Sequence, residues 1–119
     1  MPQRKRILIL DDEEEILELM SRILGSTYTL LTKTNTDNLE EDLREFQPGV
    51  IIIDHFIGEE TSKEVIGRSL QRFSDIPVIL HSGHTDIEKL SIGIKVAGYI
   101  KKPSSIKEIR QCIADVLDK

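Results

Sequence analysis

Four short runs of branched apolar residues stand out along the chain: Ile7 to Leu10, Val50 to Ile53, Val78 to Leu80 and the weaker Tyr28 to Thr32. Their hydrophobicity is continuous rather than alternating, the pattern of strands covered on both faces, as in a parallel sheet between helical layers. A fifth short strand is expected at Tyr99 to Lys101, with Gly98 ending the helix before it. Between the runs lie segments with helical spacing: Ile16, Leu19, Met20, Ile23 and Leu24; Leu39, Leu43 and Phe46; Val65, Ile66, Leu70 and Phe73; and Ile106, Ile109, Ile113, Val116 and Leu117. Each opens on a capping residue with Glu three positions on, as in Asp12/Glu15, Asp37/Glu40, Thr61/Glu64, Thr85/Glu88 and Ser105/Glu108. The segment begun by Thr85 is interrupted by Gly93 and Gly98, which leaves room for only about two or three turns.

Strand followed by helix, repeated through the chain, predicts an α/β fold: a doubly wound, five-stranded parallel sheet with right-handed crossovers and helices on both faces. The length of 119 residues suits one domain spanning 1–119. A net charge of −5 argues against a direct nucleic-acid binder, and the short Arg4-Lys5-Arg6 cluster reads as a solvated entry to the first strand. The single cysteine, Cys112, excludes an internally disulfide-stapled scaffold, and a reducing compartment, the cytoplasm, is expected. No apolar run approaches the ~18 residues of a membrane span, and Ile7 to Leu10 is too short for a signal-peptide core.

In a doubly wound sheet, ligands bind outside the carboxyl ends of the strands, where the strand order reverses. Strand 1 ends in Asp11-Asp12-Glu13, strand 3 in Asp54, strand 4 in His81-Ser82 and strand 5 in Lys101-Lys102-Pro103. With these strands as neighbours, carboxylates, a hydroxyl and an ammonium converge on one edge. Clustered carboxylates repel, and the usual compensation is a hard cation with oxygen ligands. Mg²⁺ suits the set, because it takes one or two carboxylates together with phosphate oxygens. One carboxylate can itself act as nucleophile and form an acyl phosphate. His81 and His84 are three positions apart, but they lack the further ligands a zinc site needs.

Asp11-Asp12 after strand 1, Asp54 after strand 3, Ser82 after strand 4 and Lys102-Pro103 after strand 5 resemble the receiver domain of bacterial two-component response regulators. The resemblance covers the whole chain and implies a flavodoxin-like (βα)5 fold with strand order 2-1-3-4-5. It implies that Asp54 accepts a phosphoryl group from a histidine kinase or histidine phosphotransfer protein. Mg²⁺ would then be held by Asp11, Asp12, Asp54 and the backbone carbonyl of Phe56. Ser82 and Lys102 would contact the phosphoryl group, and Tyr99 would be the aromatic switch partner of Ser82. The Lys102-Pro103 bond is cis in that family. The implied role is that of a signalling switch rather than an enzyme. Output would pass through helix 4, strand 5 and helix 5 to a downstream protein, a fused output domain or a second copy in a homodimer. Read from the residues alone, Ser82 is also compatible with a turn residue, Tyr99 with ordinary core, and Asp11, Glu13, Glu14 and Glu15 with first-turn acids favoured by the helix dipole.

The family usually carries Pro four residues after the phosphoacceptor and Gly four further on; here those places hold Gly58 and Ser62. The span from Ser82 to Tyr99 is also a residue or two shorter than in the family. His84 and Phe56 together are expected to form a bulky rim that slows attack by water. The altered loop raises a second reading, a receiver-like interaction scaffold that works without phosphate. A metal-dependent hydrolase would call for a general acid two residues after Asp54, where Phe56 stands. A flavin-binding domain would call for a Ser/Thr/Gly-rich phosphate loop after strand 1, which is absent.

Overall fold

The continuous apolar runs form the middle of a five-stranded sheet. The computed structural model describes residues 4–83 and 96–118. In chain order the strands are β1 (Arg6–Leu10), β2 (Thr29–Lys33), β3 (Val50–Ile53), β4 (Phe56–Ile57), β5 (Glu60–Thr61), β6 (Val78–Ser82) and β7 (Gly98–Lys101). The helices are α1 (Glu14–Leu24), α2 (Leu39–Phe46), α3 (Ser62–Ser69) and α4 (Ile106–Leu117). The main sheet runs β2-β1-β3-β6-β7 with every neighbouring pair parallel, the flavodoxin-like 2-1-3-4-5 order once the small β4–β5 hairpin is set aside.

Alternate side chains of the central strands β1, β3 and β6 enter two separate cores. On one face Ile7, Ile9, Val50, Ile52, Ile79 and Ile100 pack against α1 and α4 through Leu17, Met20, Leu24, Ile109 and Ile113. On the other, Leu8, Leu10, Ile51, Ile53, Val78 and Leu80 pack under Leu39 and Leu43 of α2 and Val65 of α3. Every residue of β3 is buried, because it lies mid-sheet with helices above and below. Each such side chain contributes roughly 1.5–3 kcal/mol of transfer free energy. The two edge strands are less covered, and the partial cover of β2 explains its weaker apolar signal.

Two of the expected capping boxes form: Thr61 with Glu64, and Ser105 with Glu108. Two do not. Helix α1 starts at Glu14 with no side-chain cap, and the Asp12 carboxylate turns away to accept the Gly58 N–H at 3.0 Å. Helix α2 starts after Asn38 in the left-handed region (φ 57°), because a tight turn precedes it: the Asp37 N–H donates to Asn35 Oδ1 and the Leu39 N–H to the Thr36 carbonyl. The third helix stops at Ser69, and a 3₁₀ turn over Gln71–Phe73 brings Phe73 under the core instead. Gly98 opens β7 rather than ending a helix; a Cβ there would lie 3.2 Å from Cys112 Sγ, so α4 packs directly on the bare backbone. The Thr85/Glu88 pair, the helical segment expected to begin with it, the shortened helix 4 region and His84 lie outside the described residues. Among the described residues, no helix is long and apolar enough to cross a membrane.

These starts have unequal energetic weight. Ser105→Ala is expected to lower unfolding stability by about 1 kcal/mol in urea titrations, and Asp37→Ala to change it by less than about 0.5 kcal/mol. Equal losses would contradict the observed caps.

Candidate functional site

The sheet register creates the site. Leu10 of β1 is paired with Ile53 of β3, so Asp11 and Asp54 follow in the next rung, on the same face. The ladder continues past the strand ends to hold both backbones: the Asp11 N–H donates to the Lys33 carbonyl and the Asp54 N–H to the Leu10 carbonyl, each at 3.0 Å. One strand over, the Lys102 N–H donates to the Ser82 carbonyl at 2.8 Å, which places Lys102 beyond the end of β7. Two carboxylates thus sit side by side at the point where β2 and β3 depart on opposite sides of β1, where such sheets bind ligands.

Lys102 bridges the pair. Its ammonium donates to Asp11 Oδ2 at 2.9 Å and lies 3.4 Å from Asp54 Oδ2. Asp11 is buried, and its other oxygen accepts the Glu13 N–H at 2.9 Å, which serves the uncapped start of α1. Asp54 Oδ1 accepts the N–H of His55 at 2.8 Å. Above them opens a cleft of about 390 Å³ lined by Asp12, Glu13, Asp54, Phe56, Ser82, Gly83 and Lys102. Ser82 is buried at its wall, while Phe56 is exposed at its lip.

Burial and the neighbouring Asp11 charge push the Asp54 carboxyl above its ordinary value, against the opposing pull of Lys102 and the His55 N–H. Burial alone would lower Lys102, but its hydrogen bond to Asp11 and the charges of Asp54 and Asp11 outweigh that and hold the ammonium above the usual lysine value. His81, buried on β6, is pushed down to about 4, first by burial and then by Lys102, so at neutral pH it adds no positive charge. Lys102 therefore supplies the cleft's own countercharge.

The residues present fit a hard divalent cation. Asp11, Asp12, Glu13 and Asp54 each offer a carboxylate oxygen, and these atoms lie within 4.8 Å of one another. All are oxygen donors of the kind Mg²⁺ takes. Glu13 goes beyond the set expected from the sequence, where it read as a first-turn acid; its position at the mouth of the cleft follows from α1 starting one residue later. Asp11, Asp12, Asp54, Phe56, Ser82 and Lys102 are all brought to this edge. Tyr99 is not: it is 44% exposed and lines a separate groove between β7 and α4, so the reading of it as core is overturned. The Lys102-Pro103 bond is cis.

The response regulator receiver domain family model matches residues 7–114. The chain belongs to that family. Among curated relatives of this receiver domain, the nisin biosynthesis regulatory protein NisR of Lactococcus lactis is 32% identical over 108 residues, 87% of this chain and 46% of that protein. The hydrogenase transcriptional regulatory protein HoxA of Cupriavidus necator is 30% identical over 100 residues, 82% of this chain and 21% of that protein. The chain thus spans less than half of either relative. The N-terminal signal receiver domain of a response regulator from Bacteroides fragilis superposes with a TM-score of 0.89 over 98% of this chain and 99% of that one. At 20% identity the likeness is one of fold. Receiver domains are signalling modules that bind Mg²⁺ at an acidic cluster, and this receiver domain has such a cluster.

The sequence did not show how the loop after Asp54 replaces its missing Pro and Gly. Gly58 takes the first turn position of the β4–β5 hairpin with φ +62°, and Ser62 Oγ lies 3.1 Å from His55 Nδ1, both residues buried. The substitutions at 58 and 62 were visible, but not their partners.

Two outcomes are expected in metal-free buffer. Lys102→Ala leaves Asp11 buried and Asp54 repelling it, so stability falls by about 3 kcal/mol at pH 7, and adding Asp11→Asn recovers part of the loss; an unchanged denaturation midpoint would contradict the bridge. Asp54 has a folded-state pKa above its unfolded value of 3.8, so its favourable contribution is present below that value and lost as pH rises through the folded pKa. Asp54→Asn should therefore melt a few degrees above the native chain at pH 7, an advantage that disappears at pH 3. A constant difference across that range would contradict the assignment.

Proposed function

We propose that this receiver domain takes a phosphoryl group from a phosphohistidine, on a histidine kinase or histidine phosphotransfer protein, onto Asp54, and thereby switches a partner-binding surface. The observation that carries the reading is the placement of Asp54: one rung from Asp11, 3.4 Å from Lys102, on a cleft whose wall is Ser82. Partial burial strips water from this carboxylate and raises its basicity, which favours an oxygen nucleophile as long as it remains ionised.

In the transfer, a carboxylate oxygen of Asp54 attacks phosphorus as the P–N bond to the donor histidine breaks. The bonding electron pair remains on the imidazole nitrogen, which takes up a proton, and Asp54 carries an acyl phosphate. Mg²⁺, when held by Asp11, Asp12, Asp54 and the Phe56 carbonyl, supplies charge neutralisation for the phosphoryl oxygens. Lys102, already between Asp11 and Asp54, has a second acceptor to turn to, and the Ser82 hydroxyl can donate to a phosphoryl oxygen. Phe56 covers the lip against water.

The added phosphoryl group brings roughly −1.5 to −2 charge at neutral pH and shifts the domain only as far as one conformation binds it better. Ser82 is the contact on β6 through which that preference reaches β7, where Tyr99 stands exposed and available to move. The surface that carries the signal includes β7 and α4 and meets a downstream protein, an output domain of the kind its longer relatives have room for, or a second copy. The cytoplasm, where kinase and phosphodonor meet, is the proposed location.

Intact mass after incubation with acetyl phosphate tests this. The native chain with Mg²⁺ is expected to gain one phosphoryl group, and neither the Mg²⁺-free sample nor Asp54→Asn should. No gain under any condition, together with no beryllofluoride binding, would overturn the reading in favour of a phosphate-independent scaffold.

A further inference from the structure

Asp12 is the one exposed aspartate of the carboxylate cluster, and the contact that holds it comes from an unexpected place. Its Oδ2 accepts the backbone N–H of Gly58 at 3.0 Å, across 46 positions of sequence. Gly58 is the first of two turn residues in the β4–β5 hairpin, in which Phe56 pairs with Thr61 and Ile57 with Glu60. Its φ of +62° is the positive value that tight hairpin turns place on glycine. A Cβ at this position would meet nothing within 4 Å, so space does not select glycine here. The positive φ favours it, and the N–H excludes proline.

The donor is on a held element. Ile57 is buried in the core, Glu60 accepts the Thr36 hydroxyl at 2.9 Å and pairs with Arg68, and Thr61 closes the capping box of α3. The hairpin is thus tied to α2's approach, to α3 and to the sheet, and it presents the Gly58 N–H to Asp12 from a fixed position. Proline, usual at this place in the family, has no N–H and fixes φ near −65°. It can supply neither half of this arrangement.

We infer that Gly58 is a positioning residue for the metal site: its N–H orients the Asp12 carboxylate, leaving the other oxygen for the cation. The inference rests on the Mg²⁺ reading above. A free carboxylate on an exposed side chain samples several rotamers, whereas one anchored by an outer hydrogen bond meets the ion already aligned. Such outer partners are typically worth about 10–100-fold in metal affinity. In this chain, alignment that a proline loop would leave to Asp12 itself is supplied by backbone.

The test is an Mg²⁺ titration of the full chain followed by ¹H–¹⁵N NMR, with folding of each variant checked by circular dichroism. Gly58→Pro should weaken Mg²⁺ about 10-fold, while Gly58→Asn, which keeps the N–H and tolerates positive φ, should stay within about 2-fold of native. In the metal-free chain, Asp12→Asn should move the Gly58 amide resonance, a readout that does not depend on Gly58→Pro folding. Native affinity in Gly58→Pro, or an unmoved Gly58 amide in Asp12→Asn, would overturn the inference. If the native chain binds no Mg²⁺, the metal part of the proposed function falls and this inference with it. If Mg²⁺ binds as expected but Asp54 takes no phosphoryl group, the transfer reading falls and the positioning role stands.

Discussion

The ammonium of Lys102, lodged between Asp11 and Asp54, is the interaction on which the rest of the site depends. The register of β1 against β3 forces two carboxylates into adjacent positions on one face, and the fully buried β3 leaves Asp54 little freedom to move away. Repulsion of that kind is normally avoided. Here it is held in check by one cation reaching over from the end of β7, whose backbone is itself tied to β6 through Ser82. The four strand ends are therefore coupled by charge as well as by the ladder. A change in charge at Asp54 is felt directly by the residue that links β6 and β7.

That coupling accounts for the use of a five-stranded sheet for what is chemically a small site. The apolar interior on both faces, with α1 and α4 on one side and α2 and α3 on the other, provides the rigidity against which the carboxylates can be kept close. Like charges at the mouth of a well-packed sheet are a standing cost, relieved here by the Lys102 ammonium. Lys102 satisfies Asp11 at 2.9 Å and, 3.4 Å from Asp54, is near enough to respond to a change of charge there. His81, neutral next to this cluster, leaves the balance to Lys102.

Much of this was legible because the strands are short and continuously apolar and each ends abruptly in a polar residue. Ile51-Ile52-Ile53 followed by Asp54 admits few readings, since a carboxylate there is costly without a partner. The hairpin at Phe56 to Thr61 was not legible, because two-residue strands carry no periodic signal. The Asp12/Glu15 pattern matched a capping box, yet the structure gives Asp12 to Gly58 and leaves α1 uncapped. Local spacing shows which hydrogen bonds are available to a residue, and a partner 46 positions away shows which one wins. Tyr99, compatible on sequence grounds with ordinary core or with an aromatic switch residue, is exposed on the edge strand β7.

The central claim is that the chemistry occurs on Asp54 and not on its neighbours in the cluster. Borohydride reduction of the chain after treatment with acetyl phosphate and Mg²⁺ converts an aspartyl phosphate to homoserine, and peptide mass mapping then locates it. The account predicts homoserine at position 54 alone. Homoserine at position 11 or 12, or unmodified aspartate at all three in a chain that has gained a phosphoryl group, would contradict it.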